Sequence, residues 1–175
     1  MRVAKRFRWE AAHRLPWHDG PCRHLHGHSY RMEVVVEGPV DTKGMVIDFK
    51  DVKSALKPLV DAWDHATLVA HDDDELLSVL AQTGWRHYVL PFDSTSENVA
   101  RYAADHLCRA AAETFARVGV TSVRVRVEET ETCYAEVEVS VHAVPHGDGA
   151  PGRAHDTALS QRNPTLSGPT EPPLS

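Results

Sequence analysis

The chain has 175 residues, 42 % of them hydrophobic and 25 % charged, an ordinary composition for one soluble globular domain. Its formal charge of −6, with no basic run to offset it, argues against a general nucleic-acid binder. No apolar stretch approaches the ~20 residues that span a bilayer. The opening "MRVAKRFRWEAAHRL" lacks the apolar region of a signal peptide. A cytoplasmic protein with neither a membrane nor a nucleic-acid partner is therefore expected.

Residues 2–12 alternate, with Val3, Phe7, Trp9 and Ala11 on one parity and Arg2, Arg6, Arg8 and Glu10 on the other. That pattern predicts a half-buried strand, interrupted on its apolar side by Lys5. Residues 28–37 alternate as well, setting Tyr30, Met32, Val34 and Val36 against Arg31, Glu33 and Glu37. "EGPVDTKG" (37–44) is a loop by its Gly and Pro. Asp48 is an N-cap for a helix whose stripe is Phe49, Val52, Leu56, Leu59, Val60 and Trp63; Pro58 inside it should kink or weaken it. Residues 66–94 are mixed, with a short helix in "HDDDELLSVLAQTG" and a short extended piece in "HYVLPF". Ser94 and Glu97 match a capping box that opens a second long helix, with its stripe running from Val99 to Val118 and its stop at Gly119. Val123, Val125 and Val127 then share one strand face, and Ala135, Val137, Val139 and Val141 another, joined by a hairpin link.

The order ββααββ predicts an α+β fold: a four-stranded antiparallel sheet with two helices on one face. Free sheet edges invite oligomerisation. Residues 1–144 form the expected domain. Residues 145–175, rich in Pro, Gly and Ser, read as a disordered tail.

"PCRHLHGHSY" (21–30) concentrates the chemistry-bearing residues. His26 and His28 share the parity of Tyr30 and Met32, and His13 that of Phe7 and Trp9. If the two strands pair antiparallel, the three imidazoles converge at the hairpin mouth. Three histidines without a fourth protein ligand make a catalytic zinc site with an open position; three partly exposed histidines at a loop are the alternative. Cys22, in the link that would close over this point, is a metal ligand, a base or a plain loop thiol. The other two of the three cysteines carry no such signal: Cys108 reads as a core residue, and Cys133 sits in a turn. Asp64 precedes His65 in "WDHATL", either as an orienting pair for proton transfer or as mere neighbours. Glu129 has the parity of the apolar face. A carboxylate there either accepts paired N–H groups from a flat heterocycle or lies beyond the strand in solvent.

Taken together, "FRWEAAHRLP", the C-x3-H-G-H of "CRHLHGH", "GMVIDFKDVK", "LVDAWDHATL", "TSEN" and "VRVEET" resemble the 6-pyruvoyl-tetrahydropterin synthase and 6-carboxytetrahydropterin synthase family, in the family's order and over about residues 3–141. The resemblance implies a tunnelling fold in which trimers stack into hexamers with active sites between subunits. It implies zinc on His13, His26 and His28, a catalytic thiolate at Cys22, a catalytic pair at Asp64 and His65, and a pterin anchor at Glu129. Thr95, Ser96 and Glu97 match the pterin-contacting segment, although Ser94 stands where the family often has proline. The implied substrate is 7,8-dihydroneopterin triphosphate. "EAAHRLP" and the short Cys-to-HGH link look most like bacterial enzymes that form 6-carboxy-5,6,7,8-tetrahydropterin for 7-deazapurine pathways such as queuosine synthesis. The pyruvoyl-forming reaction and a non-catalytic oligomer with structural zinc are the alternatives. Arg14, Arg23 and His24 are candidates for the triphosphate.

Overall fold

Alternation along the first forty residues produces two long antiparallel strands, β1 (Arg2–His13) and β2 (His26–Glu37), paired from Arg2↔Glu37 to His13↔His26. The computed structural model describes residues 1–141, so the tail expected over 145–175 lies outside the described residues. Helix α1 (Phe49–Trp63) follows, capped by the Asp48 carboxylate, which accepts from the Lys50 N–H at 2.8 Å; Pro58 is accommodated within one continuous helix. After it come β3 (Ala66–Ala70), α2 (Asp74–Thr83) and β4 (His87–Leu90). Helices α3 (Ser96–Ala110) and α4 (Ala112–Val118) precede the final hairpin, β5 (Ser122–Glu128) and β6 (Tyr134–Ser140).

The sheet has six strands rather than the expected four, in the order β4-β3-β1-β2-β5-β6. The segment β1-β2-β5-β6 is the antiparallel sheet that alternation foretold. Strands β3 and β4 add to the free edge of β1, both parallel to their neighbours. Strand β4 falls in the short extended piece expected in "HYVLPF"; β3 escapes a periodicity reading for a physical reason. "ATLVA" is buried at all five positions, so it shows no polar side and no period of two.

Two helices were expected on the sheet, with a short third in "HDDDELLSVLAQTG"; the described residues hold four α-helices, and α2 is the short one expected. The long second helix divides at Ala111, whose ψ of 12° leaves the helical region. Its start also moves. Thr95, not Ser94, is the N-cap, and its hydroxyl accepts from the Asn98 N–H at 3.3 Å; the expected Ser94–Glu97 capping box does not form. Ser94 is instead 1 % exposed and committed to another partner, described below.

Helices α1 and α3 bury one sheet face. Val52, Leu56, Leu59 and Trp63, with Val99, Ala103 and Leu107, pack on Trp9, Tyr30, Met32, Val34, Val123, Val125 and Val127. Each Val, Leu or Met side chain among them contributes roughly 1.5–3 kcal/mol on full burial. Trp9 stacks on Tyr30 with ring centroids 5.1 Å apart, which locks the β1–β2 ladder two residues before the histidines. The other face carries the exposed parity and is charged. Arg2 pairs with Glu37 at 2.8 Å, Arg6 with Glu33 at 2.7 Å, Arg124 with Glu136 at 3.7 Å and Arg126 with Glu128 at 3.1 Å. Among the described residues, no helix is long and apolar enough to cross a membrane.

Candidate metal centre

His13 and His26 are register partners at the last rung of the β1–β2 ladder, and His28 projects from the same face two residues later. The strand period alone brings the three rings together. Ring centroids are 4.7 Å apart for His13–His26, 5.1 Å for His13–His28 and 4.8 Å for His26–His28. One ligand-capable nitrogen from each lies within 4.8 Å of the others, and these three imidazoles make up the cluster.

Main-chain carbonyls orient two of the rings. His13 Nδ1 lies 2.8 Å from the Ser94 carbonyl and His26 Nδ1 2.7 Å from the His24 carbonyl. Donation from Nδ1 fixes the tautomer and turns a bare Nε2 toward the common point. The Nε2 atoms of His13 and His28 are buried and have no hydrogen-bond partner. Burial pushes the His13 pKa down to about 4 and lowers that of His28, so both rings are neutral near pH 7. Neutral, oriented imidazoles with orphaned buried nitrogens are what a divalent cation needs, and the residues present fit one.

Glu129 follows β5 beside this cluster. Burial raises its pKa, the Glu97 carboxylate adds to the rise, and His26 opposes it. The structure therefore gathers Glu129, Glu97 and the imidazoles into one neighbourhood, with Thr95 and Ser96 at the start of the helix that carries Glu97. Periodicity placed Tyr30 in the core and gave it no further part. Its hydroxyl is buried without a partner, its ring packs edge-on to His28 at 5.5 Å, and burial followed by the Glu129 charge drives its pKa upward. Its parity with His26 and His28 was the available signal. Ser94 was missed as well: read as a helix cap, it supplies the carbonyl that orients His13.

Cys22 lies half-buried in a 3-10 turn, Pro21–Arg23, in the link between β1 and β2. That turn is tied to the end of β1 by the Leu15 N–H, which donates to the Cys22 carbonyl at 2.8 Å. Arg14, a candidate for the triphosphate, is already engaged. Its guanidinium donates to Asp73 at 2.8 Å through Nε and to Glu75 at 2.8 Å.

Asp64 and His65 do form a pair, with His65 Nδ1 3.1 Å from Asp64 Oδ1. Strand β1 clamps them: the Glu10 N–H donates to Asp64 Oδ1 at 3.0 Å and the His65 N–H donates to the Glu10 carbonyl at 2.6 Å. The Glu10 hydrogen bond leads the causes that hold the Asp64 carboxyl below its usual range. His65 adopts φ 57°, the left-handed region, and is the one non-glycine there among the described residues. His65 lines a shallow hollow with Glu10, Ser29, Thr67, Trp85 and Arg86, and the strand segments under it include Ala11, Gly27 and His28. By strand parity the three imidazoles share a face with Trp9 and Tyr30, opposite to Glu10 and Ser29.

A family profile described as 6-pyruvoyl tetrahydropterin synthase matches residues 2–140. The chain belongs to the 6-pyruvoyl tetrahydropterin synthase family. Within it, the chain is 30 % identical over 146 residues to a 6-carboxy-5,6,7,8-tetrahydropterin synthase of Haemophilus influenzae, covering 79 % of this chain and 99 % of that one. It is 32 % identical over 155 residues to the enzyme of the same name from Aquifex aeolicus, covering 77 % of this chain and 95 % of that one. The 6-pyruvoyl tetrahydropterin synthase structure of Plasmodium falciparum superposes with a TM-score of 0.66 at 21 % identity, covering 80 % of this chain and 98 % of that one, and so shares the fold.

Proposed function

We propose that this chain is a zinc-dependent 6-carboxy-5,6,7,8-tetrahydropterin synthase, converting 7,8-dihydroneopterin triphosphate with release of acetaldehyde and triphosphate. One observation carries the reading: two bare, buried Nε2 atoms point into a three-imidazole corner beside a half-buried carboxylate. The relatives named for this activity support the carboxy product over the pyruvoyl product.

His13, His26 and His28 would hold the zinc, which when bound supplies Lewis-acid polarisation of the substrate's side-chain oxygens. Glu129 accepts paired N–H groups of the pterin ring, and these replace the solvation that its carboxylate loses on burial. Thr95, Ser96 and Glu97 line the same end of the ring. The Cys22 thiolate removes the carbon-bound proton beside the ring. His65 returns protons from Nε2, held by Asp64 through Nδ1. A second copy delivers His65 to each imidazole corner, since within one chain the Asp64–His65 pair is tied to Glu10, on the opposite parity to His13. That arrangement fits a hexamer of two trimers with its active sites between copies. Residues 1–144 form the catalytic domain, the setting is cytoplasmic, and the product feeds 7-deazapurine synthesis such as that of queuosine.

Incubation of the purified, zinc-loaded protein with 7,8-dihydroneopterin triphosphate, read by mass spectrometry, tests this. The expected products are the 6-carboxy pterin and acetaldehyde. A pyruvoyl product without acetaldehyde would reject the carbon–carbon cleavage, and no turnover of any pterin would leave the corner as a structural zinc site.

A further inference from the structure

Six arginines stand on the open face of the four antiparallel strands, at positions 2, 6, 8, 31, 124 and 126. Four of them are in ion pairs with strand glutamates: Arg2, Arg6, Arg124 and Arg126. Arg8 and Arg31 have no such pair among the described residues, and they are direct register partners across β1 and β2. Both are exposed. Like charges directly opposite one another destabilise an antiparallel pair. The surrounding carboxylates do not answer them. In the rung above, Glu10 accepts the Ser29 hydroxyl at 2.7 Å; in the rung below, Glu33 is taken by Arg6. On β5 the register partner of Arg31 is Glu128, whose carboxylate goes to Arg126. A hollow lined by Arg6, Arg31, Arg126, Glu33 and Glu128 opens beside Arg31, and Arg31 is the cation in it without an ion pair; a second hollow, toward Glu129 and Glu131, opens on its other side.

The geometry points to an anion site between Arg8 and Arg31 that takes a condensed phosphate. Register partners lie about 5 Å apart at Cα. Two guanidiniums rooted that closely can each grip a neighbouring phosphoryl group through paired N–H donors. An anion lying between them also removes the repulsion that the empty rung carries. The site is independent of the pterin reading: its occupant is either the phosphate tail of a substrate or free condensed phosphate, and both present the same chemistry.

Calorimetric titration of the full chain with sodium tripolyphosphate tests it. Arg8→Gln and Arg31→Gln should each weaken binding about ten-fold or more, the effect of losing a charge-assisted contact. Arg124→Gln, which removes an arginine already paired with Glu136, should change it less than about two-fold. Equal affinity in wild type and Arg8→Gln, or no binding by wild type, overturns the site. Melting curves give a second reading. Without anion, Arg8→Gln should melt no lower than wild type, because it relieves the like-charge rung; tripolyphosphate should then raise the wild-type midpoint and leave that of the variant unmoved. The reverse pattern overturns the site. Competitive inhibition by tripolyphosphate, with a raised KM in Arg31→Gln, assigns the site to the substrate's tail; non-competitive inhibition assigns it to free condensed phosphate. A protein that binds tripolyphosphate but turns over no pterin sinks the pterin reading and leaves this site standing.

Discussion

The two faces of the β1–β2 ladder solve opposite problems with the same residue type. On the helix-covered face, His13 is 2 % exposed and its ring is pinned by a main-chain carbonyl. Its Nε2 is buried with no hydrogen-bond partner, the condition in which an imidazole is free to ligate a cation. On the open face, the His65 side chain is 75 % exposed and rests against a carboxylate. Such a ring can exchange protons with solvent or substrate, and nothing prepares it to ligate. Burial, not residue identity, separates the two rings, and under the proposed function it makes one a ligand and the other a proton carrier.

That contrast can be broken most severely at the buried corner. His13→Ala should abolish stoichiometric zinc, read by elemental analysis, and cut turnover by about a thousand-fold or more, because two imidazoles cannot hold an open catalytic site. On the open face, His65→Ala should lower kcat by roughly a hundred- to ten-thousand-fold while zinc content stays at the wild-type level. Loss of zinc from that variant would show that the two regions are one. Mixing the His13→Ala and His65→Ala proteins after mild dissociation sharpens the comparison: shared sites regain activity, whereas sites confined to one chain stay silent. A smaller effect is expected from Glu129→Gln, a rise of about ten-fold in KM with zinc retained, since one ring acceptor becomes a donor. An unchanged KM would remove Glu129 from the anchor role.

The smallest effect concerns stability. The Arg14 guanidinium holds the Asp73 carboxyl below its usual range, and the Asp73 side chain is 5 % exposed. A carboxyl with a depressed folded pKa stabilises above its unfolded value of 3.8 and loses that contribution as pH falls through the lower folded value. Asp73→Asn should therefore cost about 1–3 kcal/mol near pH 7. The gap to wild type should close in strong acid, as read from denaturant melts across pH. A gap that persists below the folded pKa would assign the loss to packing.

Legibility in the sequence followed the same division between alternating and fully buried segments. Strands β1, β2, β5 and β6 have one wet and one dry face, so their period of two was visible and placed the three histidines on one side. Strand β3 is dry on both faces and left no period. The α3 cap slipped by one residue because Ser94 and Thr95 are chemically equivalent caps; the Ser94 hydroxyl lies instead 3.4 Å from His13 Nδ1, on a ring 81 positions away in sequence. The site was legible where it depends on local spacing, as in His26 and His28. Tyr30 has the same parity, yet its unpartnered hydroxyl appears only once Glu129 has been brought beside it from β5. The placement of Asp64–His65 against Glu10 depends on the parallel β3 edge, which no local pattern announced.

The backbone at His65 has a consequence for anyone who would improve this protein in the laboratory. A left-handed residue with a side chain is held at a cost of order 1–3 kcal/mol that glycine would not incur. Directed evolution scored on heat tolerance or expression yield alone would drift position 65 toward glycine, with no regard to what the imidazole there does for turnover.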